Sequence, residues 1–352
     1  MRLLHTSDWH LGASYDGLSL LPDHERFLDW LIDALVAWEV DALLVAGDVF
    51  DQAHPSAEAQ RAFFRFLARL RGTGHRCSVV LTGGNHDSAR RLRAPGDLLD
   101  ALDIHVHAHL PPDGTLDPLL VPLPDAAAPQ AVIAAVPYVH EYRLGVRTMD
   151  HAEGGLHAAI TAAFADLYGR LAERARARWG PDVPLVAMGH LTVGGGADPA
   201  DSPHAIHQAG SIEALPPSLF GDAWASIVLG HIHRAYPVDA SRRCWYSGTP
   251  VALTPREGET ARRVRVLDLC AGGAEAPAEV PGLEPSPGTS AGGAVNRAGG
   301  EERARSWEAV PGGWLCQRTV TVPAWRTMRV VSGTEEEVVA AVRGAAWAGE
   351  LS

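Results

Sequence analysis

The apolar run Leu43-Leu-Val-Ala46 stops abruptly at Gly47-Asp48, and that stop constrains the fold more tightly than any other stretch of the chain. Consecutive apolar residues leave no solvent face, so the run reads as a strand buried on both sides, as in a parallel sheet. A carboxylate at its tip then sits at the carboxyl edge of the sheet, where ligands of open α/β sheets bind. The pattern recurs. Arg2–Thr6 reads as a strand closing on Ser7-Asp-Trp-His10, and residues 77–81 run into Thr82-Gly-Gly-Asn-His-Asp-Ser88. Residues 184–188 end at Gly189-His190, and residues 226–229 end at Gly230-His-Ile-His233. Alternation would place Asp8 and His10 on one side of their loop, and would point His231 and His233 the same way.

Between the first strands lies a helix over residues 22–38, started by Pro22 with Asp23 and Glu25, and carrying Phe27, Leu28, Leu31, Ile32, Leu35 and Trp38 at helical spacing. Strand, helix and strand make a β-α-β unit, which sets the class as α/β. Ser56 is placed to cap a second helix reaching Leu70, with Phe63, Phe64, Phe66, Leu67 and Leu70 inward and Arg61, Arg65 and Arg69 on a solvated face. Residues 104–107 and 131–136 are further strands, joined by a loop over 111–130 with no readable chemistry. His105, His107 and His109 alternate there and are expected to form an exposed face rather than a metal cluster. A long Ala-rich helix covers 154–179, and Tyr246-Ser-Gly-Thr-Pro250 is expected to form the floor of the strand-end site.

Taken singly, each strand-end residue has an ordinary structural explanation: Asp8 as a turn cap, His10 as a surface residue. Their joint occurrence does not. Asp8, His10, Asp48, Asn85, His190, His231 and His233 together form an oxygen and imidazole set suited to two divalent cations. The glycines at 194–196 lack the following Lys-Ser or Lys-Thr of a phosphate-binding loop.

Composition decides three further points. Forty-two acidic against thirty basic residues give a net charge of -12, so any nucleic-acid contact must come from a local patch. Cys77, Cys244, Cys270 and Cys316 are scattered without CxxC spacing, which suits a reducing compartment and excludes a cysteine metal site. The start Met1-Arg-Leu-Leu-His-Thr-Ser-Asp8 carries no signal-peptide pattern and no 18-residue apolar run occurs, so a soluble cytoplasmic protein without membrane contact is expected.

The series Asp8-x-His10, Gly47-Asp48-x-x-Asp51, Gly84-Asn85-His86, Gly189-His190 and Gly230-His231-x-His233 resembles the signature of the calcineurin-like metallophosphoesterases. More closely, His5-Thr-Ser-Asp-Trp-His-Leu-Gly12, Gly84-Asn-His-Asp-Ser88 and Tyr246-Ser-Gly-Thr-Pro250 resemble the SbcD family, the nuclease components of bacterial SbcCD complexes. The resemblance covers residues 1–255 and implies a four-layer α-β-β-α sandwich with a small C-terminal α+β accessory, or capping, unit. It implies one metal on Asp8, His10, Asp48 and His233, a second on Asp48, Asn85, His190 and His231, and manganese as the usual ion. His86 would act at the scissile phosphate, and Asp51 would orient a ligand. Arg90, Arg91 and Arg93 are candidate DNA contacts.

The activity so implied is 3′ to 5′ double-strand exonuclease and single-strand or hairpin endonuclease, in DNA repair, recombination and replication. The implied assembly is a homodimer with an SbcC-type ATPase, which would bind the ATP, since no Walker motif occurs here. The alternative is a phosphoesterase acting on a small phosphodiester or phosphomonoester through the same ligands. The expected layout is a catalytic domain over 1–255, a connecting strand at 256–269, a Gly/Ala/Pro-rich linker at 270–303 and an accessory unit at 304–352 with strands at 318–322 and 326–331 and a helix at 334–345.

Overall fold

The computed structural model describes residues 1–147, 149, 155–194, 214–239, 241, 243–272, 275–279, 282–283, 306–326, 328 and 331–344. In chain order the elements are β1 (Arg2–Thr6), β2 (Ser14–Tyr15), β3 (Leu18–Ser19), α1 (Leu21–Ala37), β4 (Ala42–Ala46), α2 (Ala57–Gly72), β5 (Ser78–Thr82), α3 (Ala89–Leu92), α4 (Gly96–Ala101) and β6 (Ile104–His107). There follow β7 (Leu120–Leu123), β8 (Ala131–Ala135), α5 (Gly155–Trp179), β9 (Leu185–His190), β10 (Ser226–Gly230), β11 (Tyr236–Pro237) and β12 (Cys244–Tyr246). The last are β13 (Arg263–Ala271), β14 (Glu308–Val310), β15 (Gly313–Thr321) and α6 (Glu335–Gly344).

Two mixed sheets stack face to face, ordered β14-β15-β13-β1-β4-β5-β6 and β11-β12-β10-β9-β8-β7. The period of two along each strand separates the layers. In β4, Leu43 and Val45 pack with Phe27, Leu31, Phe63 and Phe66 of α1 and α2. Leu44 and Ala46 point the other way, into the seam shared with Ile133, Val186 and Met188 of the second sheet. Beyond that sheet, Leu185 and Ala187 meet Leu167 and Leu171 of α5. The order helix, sheet, sheet, helix is therefore the four-layer sandwich. A one-residue slip of β4 would exchange two apolar faces, but it would also carry Asp48 off the sheet edge, so the loop chemistry fixes what the faces alone leave open.

Local signals hold where the chemistry is local. Pro22 stands in the first turn of α1, and Ser56 Oγ accepts from Ala59 N at 3.2 Å to cap α2. Phe64 is a correction: it is 39% exposed, because the buried stripe of α2 is centred on Phe63, Phe66, Leu67 and Leu70 and Phe64 lies beyond its edge. A strand, β7, lies inside the loop expected at 111–130; Pro122 obscures it in the sequence, and its edge position is where a strand tolerates proline. His107 is also a correction. It is half-buried, its Nε2 is enclosed, and burial, reinforced by His105 and Arg93, pushes its pKa down to about 3.

The C-terminal strands do not stand apart. β13 pairs antiparallel with β1, and β15 pairs with β13 along its whole length, from Arg263 opposite Thr321 to Ala271 opposite Gly313. Asp268 clasps the join, taking Arg2 Nε at 2.7 Å and Arg318 Nη2 at 2.6 Å. The stretch expected as a separate unit from residue 304 thus contributes β14 and β15 to the main sheet, since a nine-residue edge on β13 demands a partner. Of the strand expected at 326–331, residues 327, 329 and 330 lie outside the described residues, and 326, 328 and 331 are irregular. Most of the 270–303 linker and the glycines at 195–196 also lie outside them.

Candidate metal centre

The loops that follow β1 and β4 are zipped together by their backbones. Asp8 N donates to Gly47 O at 3.0 Å, His10 N to Asp48 O at 3.0 Å, and Leu11 N to Val49 O at 2.9 Å. This pairing holds Asp8, His10 and Asp48 in left-handed backbone (φ 51°, 47° and 49°), a region His231 joins from the loop after β10 at φ 93°. Such residues cost about 1–3 kcal/mol each and persist only where surrounding contacts over-determine them. The extended geometry expected for His231 and His233 is corrected accordingly: the left-handed turn at His231 sends the two rings to different partners.

Glycine permits the convergence. A Cβ on Gly47 would overlap the His190 ring, one on Gly84 the Asp48 carboxylate, and one on Gly230 the Ala46 carbonyl. Three strand ends can therefore approach within contact only with no side chain at these positions.

The ligand-type atoms fall into three overlapping groups: Asp8 with His10 and His233, His10 with Asp48 and His86, and Asp48 with His190 and His231, the atoms of each group lying within 4.8 Å of one another. Asn85 adds its Oδ1, 3.1 Å from His190 Nε2 and 3.0 Å from His231 Nδ1. Asp8, His10, Asp48 and His190 are buried, His231 and His233 are partly open, and Asn85 is exposed, so the cluster opens to solvent on the Asn85 side.

Hydrogen bonds behind the rings decide which nitrogen faces inward. His190 Nδ1 lies 2.8 Å from Ala46 O and His233 Nδ1 3.1 Å from Glu257 Oε1. His10 Nδ1 is 3.4 Å from Asp51 Oδ1. A carbonyl or carboxylate behind the ring accepts from Nδ1–H, which favours that tautomer for His190 and His233 and turns Nε2 inward. His10 Nε2 and His233 Nε2 face each other at 3.1 Å, and His190 Nε2 lies 3.2 Å from Asp48 Oδ2. Nitrogens and carboxylate oxygens at such distances need a proton or a cation between them, and a divalent ion can replace the protons. The donor set therefore fits divalent metal ions, in oxygen and imidazole ligation.

The electrostatics agree. Burial would raise the Asp48 pKa, but the charges of His190, His10 and His86 hold it far below the usual carboxylate range. Burial would lower the His190 pKa, but Asp48 outweighs it and raises it to about 9. His231, affected by burial and then by His190, falls to about 4.

Of the other expected site residues, His86 donates its backbone N–H to Asp48 Oδ1 at 2.9 Å and holds Asp51 O with Nδ1 at 2.7 Å, which leaves Nε2 for the cavity. Asp51 serves both His10 and His86. The Tyr246 to Pro250 stretch lies beneath Asp8: Ser247 Oγ is 2.8 Å from Ser7 Oγ, which donates to Asp8 Oδ2 at 2.5 Å. Arg90 and Arg91 are exposed on α3, whereas the Arg93 guanidinium is tied to Val106 O of β6 at 2.6 Å.

Two residues escaped the sequence reading. Glu257, behind His233, also accepts from Leu253 N at 2.8 Å, and it opens a single 3₁₀ turn, Glu257–Glu259, too short for a periodicity to expose it. The Asp87 carboxylate takes the backbone N–H groups of Val49, Phe50 and Gly84 at 2.9–3.1 Å, stitching the loops after β4 and β5 together. It stands inside a legible motif, but nothing there distinguishes a brace from a ligand.

Residues 1–235 match the family model of the calcineurin-like phosphoesterases, so the class that fold and site define is that of metal-dependent phosphoester hydrolases. The SbcD component of the nuclease SbcCD from Rhodobacter capsulatus is 43% identical over 82% of this chain and 70% of its own length. The SbcD proteins of Escherichia coli K12 and Bacillus subtilis 168 are 35% and 33% identical over 77% and 76% of this chain, which spans 66% of each. The chain belongs to the SbcD family of the calcineurin-like phosphoesterases. Among the described residues no helix is long and apolar enough to cross a membrane.

Proposed function

We propose that this chain is the nuclease component of an SbcCD-type complex, hydrolysing DNA phosphodiesters with two divalent cations, manganese by preference. The observation that carries the reading is the crowding of inward-facing ligand atoms, with His10 Nε2 and His233 Nε2 at 3.1 Å and Asp48 adjoining both imidazole groups. One ion would be held by Asp8, His10, Asp48 and His233, the other by Asp48, Asn85, His190 and His231. When bound, the pair supplies an activated water and a clamp on the attacking and leaving oxygens of an in-line displacement.

The remaining work falls to the protein. Asp51, Glu257 and the Ala46 carbonyl fix the tautomer and direction of His10, His233 and His190. His86, its Nδ1 turned back on Asp51 O, presents Nε2 to the scissile phosphate and passes a proton to the departing 3′ oxygen. Of the three arginines after the Asn85 loop, Arg90 and Arg91 are exposed on α3 and available to meet a DNA backbone. The names of the relatives support a nuclease that works within an SbcCD complex. On that reading the activities are 3′ to 5′ exonuclease and hairpin endonuclease on DNA, the partners are an SbcC-type ATPase and a second copy of the chain, and the location is the cytoplasm.

The test is incubation with manganese of end-labelled linear duplex DNA and, separately, of bis-p-nitrophenyl phosphate. Shortening of the DNA from its 3′ ends is expected. Hydrolysis of the chromogenic ester with duplex, single-stranded and hairpin DNA all left intact, even with an SbcC-type partner, would assign the chain to small phosphoesters instead.

A further inference from the structure

A row of rings leads out of the metal centre along the segment after β8. Tyr138 stands edge-on to His190 with ring centroids 6.2 Å apart, and His140 stands edge-on to Tyr138 at 4.9 Å. Tyr142 then stacks on His140 at 5.5 Å with the planes inclined by only 18°. The Arg143 guanidinium lies 5.9 Å from the Tyr142 centroid.

The segment is anchored where it must be. Tyr138 N donates to Gly83 O at 2.8 Å, Val146 N to Glu141 O at 3.2 Å, and Val139 and Val146 are buried in the core beneath α5. On this base His140 is exposed and Tyr142 is 61% exposed. A short helical turn over Glu141–Leu144 thus presents two stacked rings to water. Among the described residues, the ring contacts of this pair are with each other and with Tyr138 and Arg143. Arg143 and Arg147 are exposed alongside, opposed by the partly buried Glu141, so among the described residues of this turn the balance is basic, on a chain whose overall charge is -12.

We propose that Tyr138, His140, Tyr142 and Arg143 form a nucleobase-stacking subsite that receives an unpaired strand at the mouth of the metal centre. The inference rests on the nuclease reading and deepens it. Every base offers a π-face, so stacking accepts any sequence, and the guanidinium adds a second flat partner and a charge for the adjoining phosphate. A frayed end or a hairpin loop supplies bases of this kind; an intact duplex does not.

The experiment measures binding by fluorescence anisotropy, in EDTA, of a labelled 12-nucleotide single strand and of the same strand with an abasic tract. The wild type is expected to hold the base-bearing strand roughly tenfold more tightly. The double variant His140→Ala, Tyr142→Ala should lose that preference with its thermal midpoint unchanged, and Tyr142→Trp should keep it. A wild type indifferent to the bases, or a double variant as discriminating as the wild type, would overturn the subsite and leave the rings to a protein contact. Because these readings need neither metal nor cleavage, failure of the platform and failure of the nuclease assignment give different results.

Discussion

His10 and His233 turn their Nε2 atoms toward each other across 3.1 Å, and a carboxylate stands behind each ring: Asp51 behind His10 and Glu257 behind His233. Two ring nitrogens at that separation share a proton or a cation, and the carboxylates keep them from turning away.

Glu257→Ala removes one of these supports. Manganese affinity should fall by about 10–100-fold, the usual cost of losing the group that orients a histidine ligand, with Glu257→Gln falling less because its carbonyl oxygen still accepts. Titration calorimetry of both variants checks this; an Ala variant with unaltered affinity would remove Glu257 from the account.

Gly84→Ala should abolish high-affinity metal binding, since the new Cβ would sit on the Asp48 carboxylate and backbone amide. Gly72→Ala, at the end of α2 with nothing within 4 Å, is the control and should bind as the wild type does. Metal analysis of the two purified variants separates a steric requirement of the site from a general intolerance of substitution.

Asp87→Asn tests the brace between the loops. Its carboxylate accepts three backbone N–H bonds, and an amide has only one oxygen to offer. Unfolding in urea should show a loss of about 1.5–3 kcal/mol, the range for hydrogen bonds to a charged group. Stability equal to the wild type would contradict the role.

Acid should unfold the metal-free chain through histidines outside the centre. His107 is held to a pKa of about 3 and His5 well below its ordinary value, burial being the first cause in both. Each binds its proton more readily when unfolded, near pH 6.5, so their contribution is complete above that pH and is lost progressively as pH falls toward 3. The urea midpoint should therefore drop across that window, and His107→Gln should show a shallower drop whatever its stability at neutral pH. An unchanged slope would mean that His107 is not buried neutral.

The strand ends are legible because each combines a continuous apolar run with a glycine and a ligand-type residue, a pattern that sheet burial and close backbone approach impose together. The layers follow from β4, whose two faces are both apolar. What stays hidden is what depends on distant pairing. β15 reads as an isolated strand until β13 offers its edge, and Pro122 disguises β7 because the sequence does not show which strands lie at an edge. Glu257 gains its meaning only from His233, twenty-four residues earlier. The backbone at His231 is missed, since φ there is 93° rather than extended, although both rings still reach the neighbouring ligand groups.

Equilibrium dialysis against manganese, followed by metal analysis of the wild type, Asp48→Asn and His86→Gln, tests the central claim most directly. Two ions per wild-type chain are expected, both weakened together in Asp48→Asn, and both retained in His86→Gln while its DNA cleavage falls by about 10²–10⁴-fold, the range for a lost general acid. An Asp48→Asn chain that loses one ion and keeps the other at wild-type affinity would contradict a carboxylate shared between them.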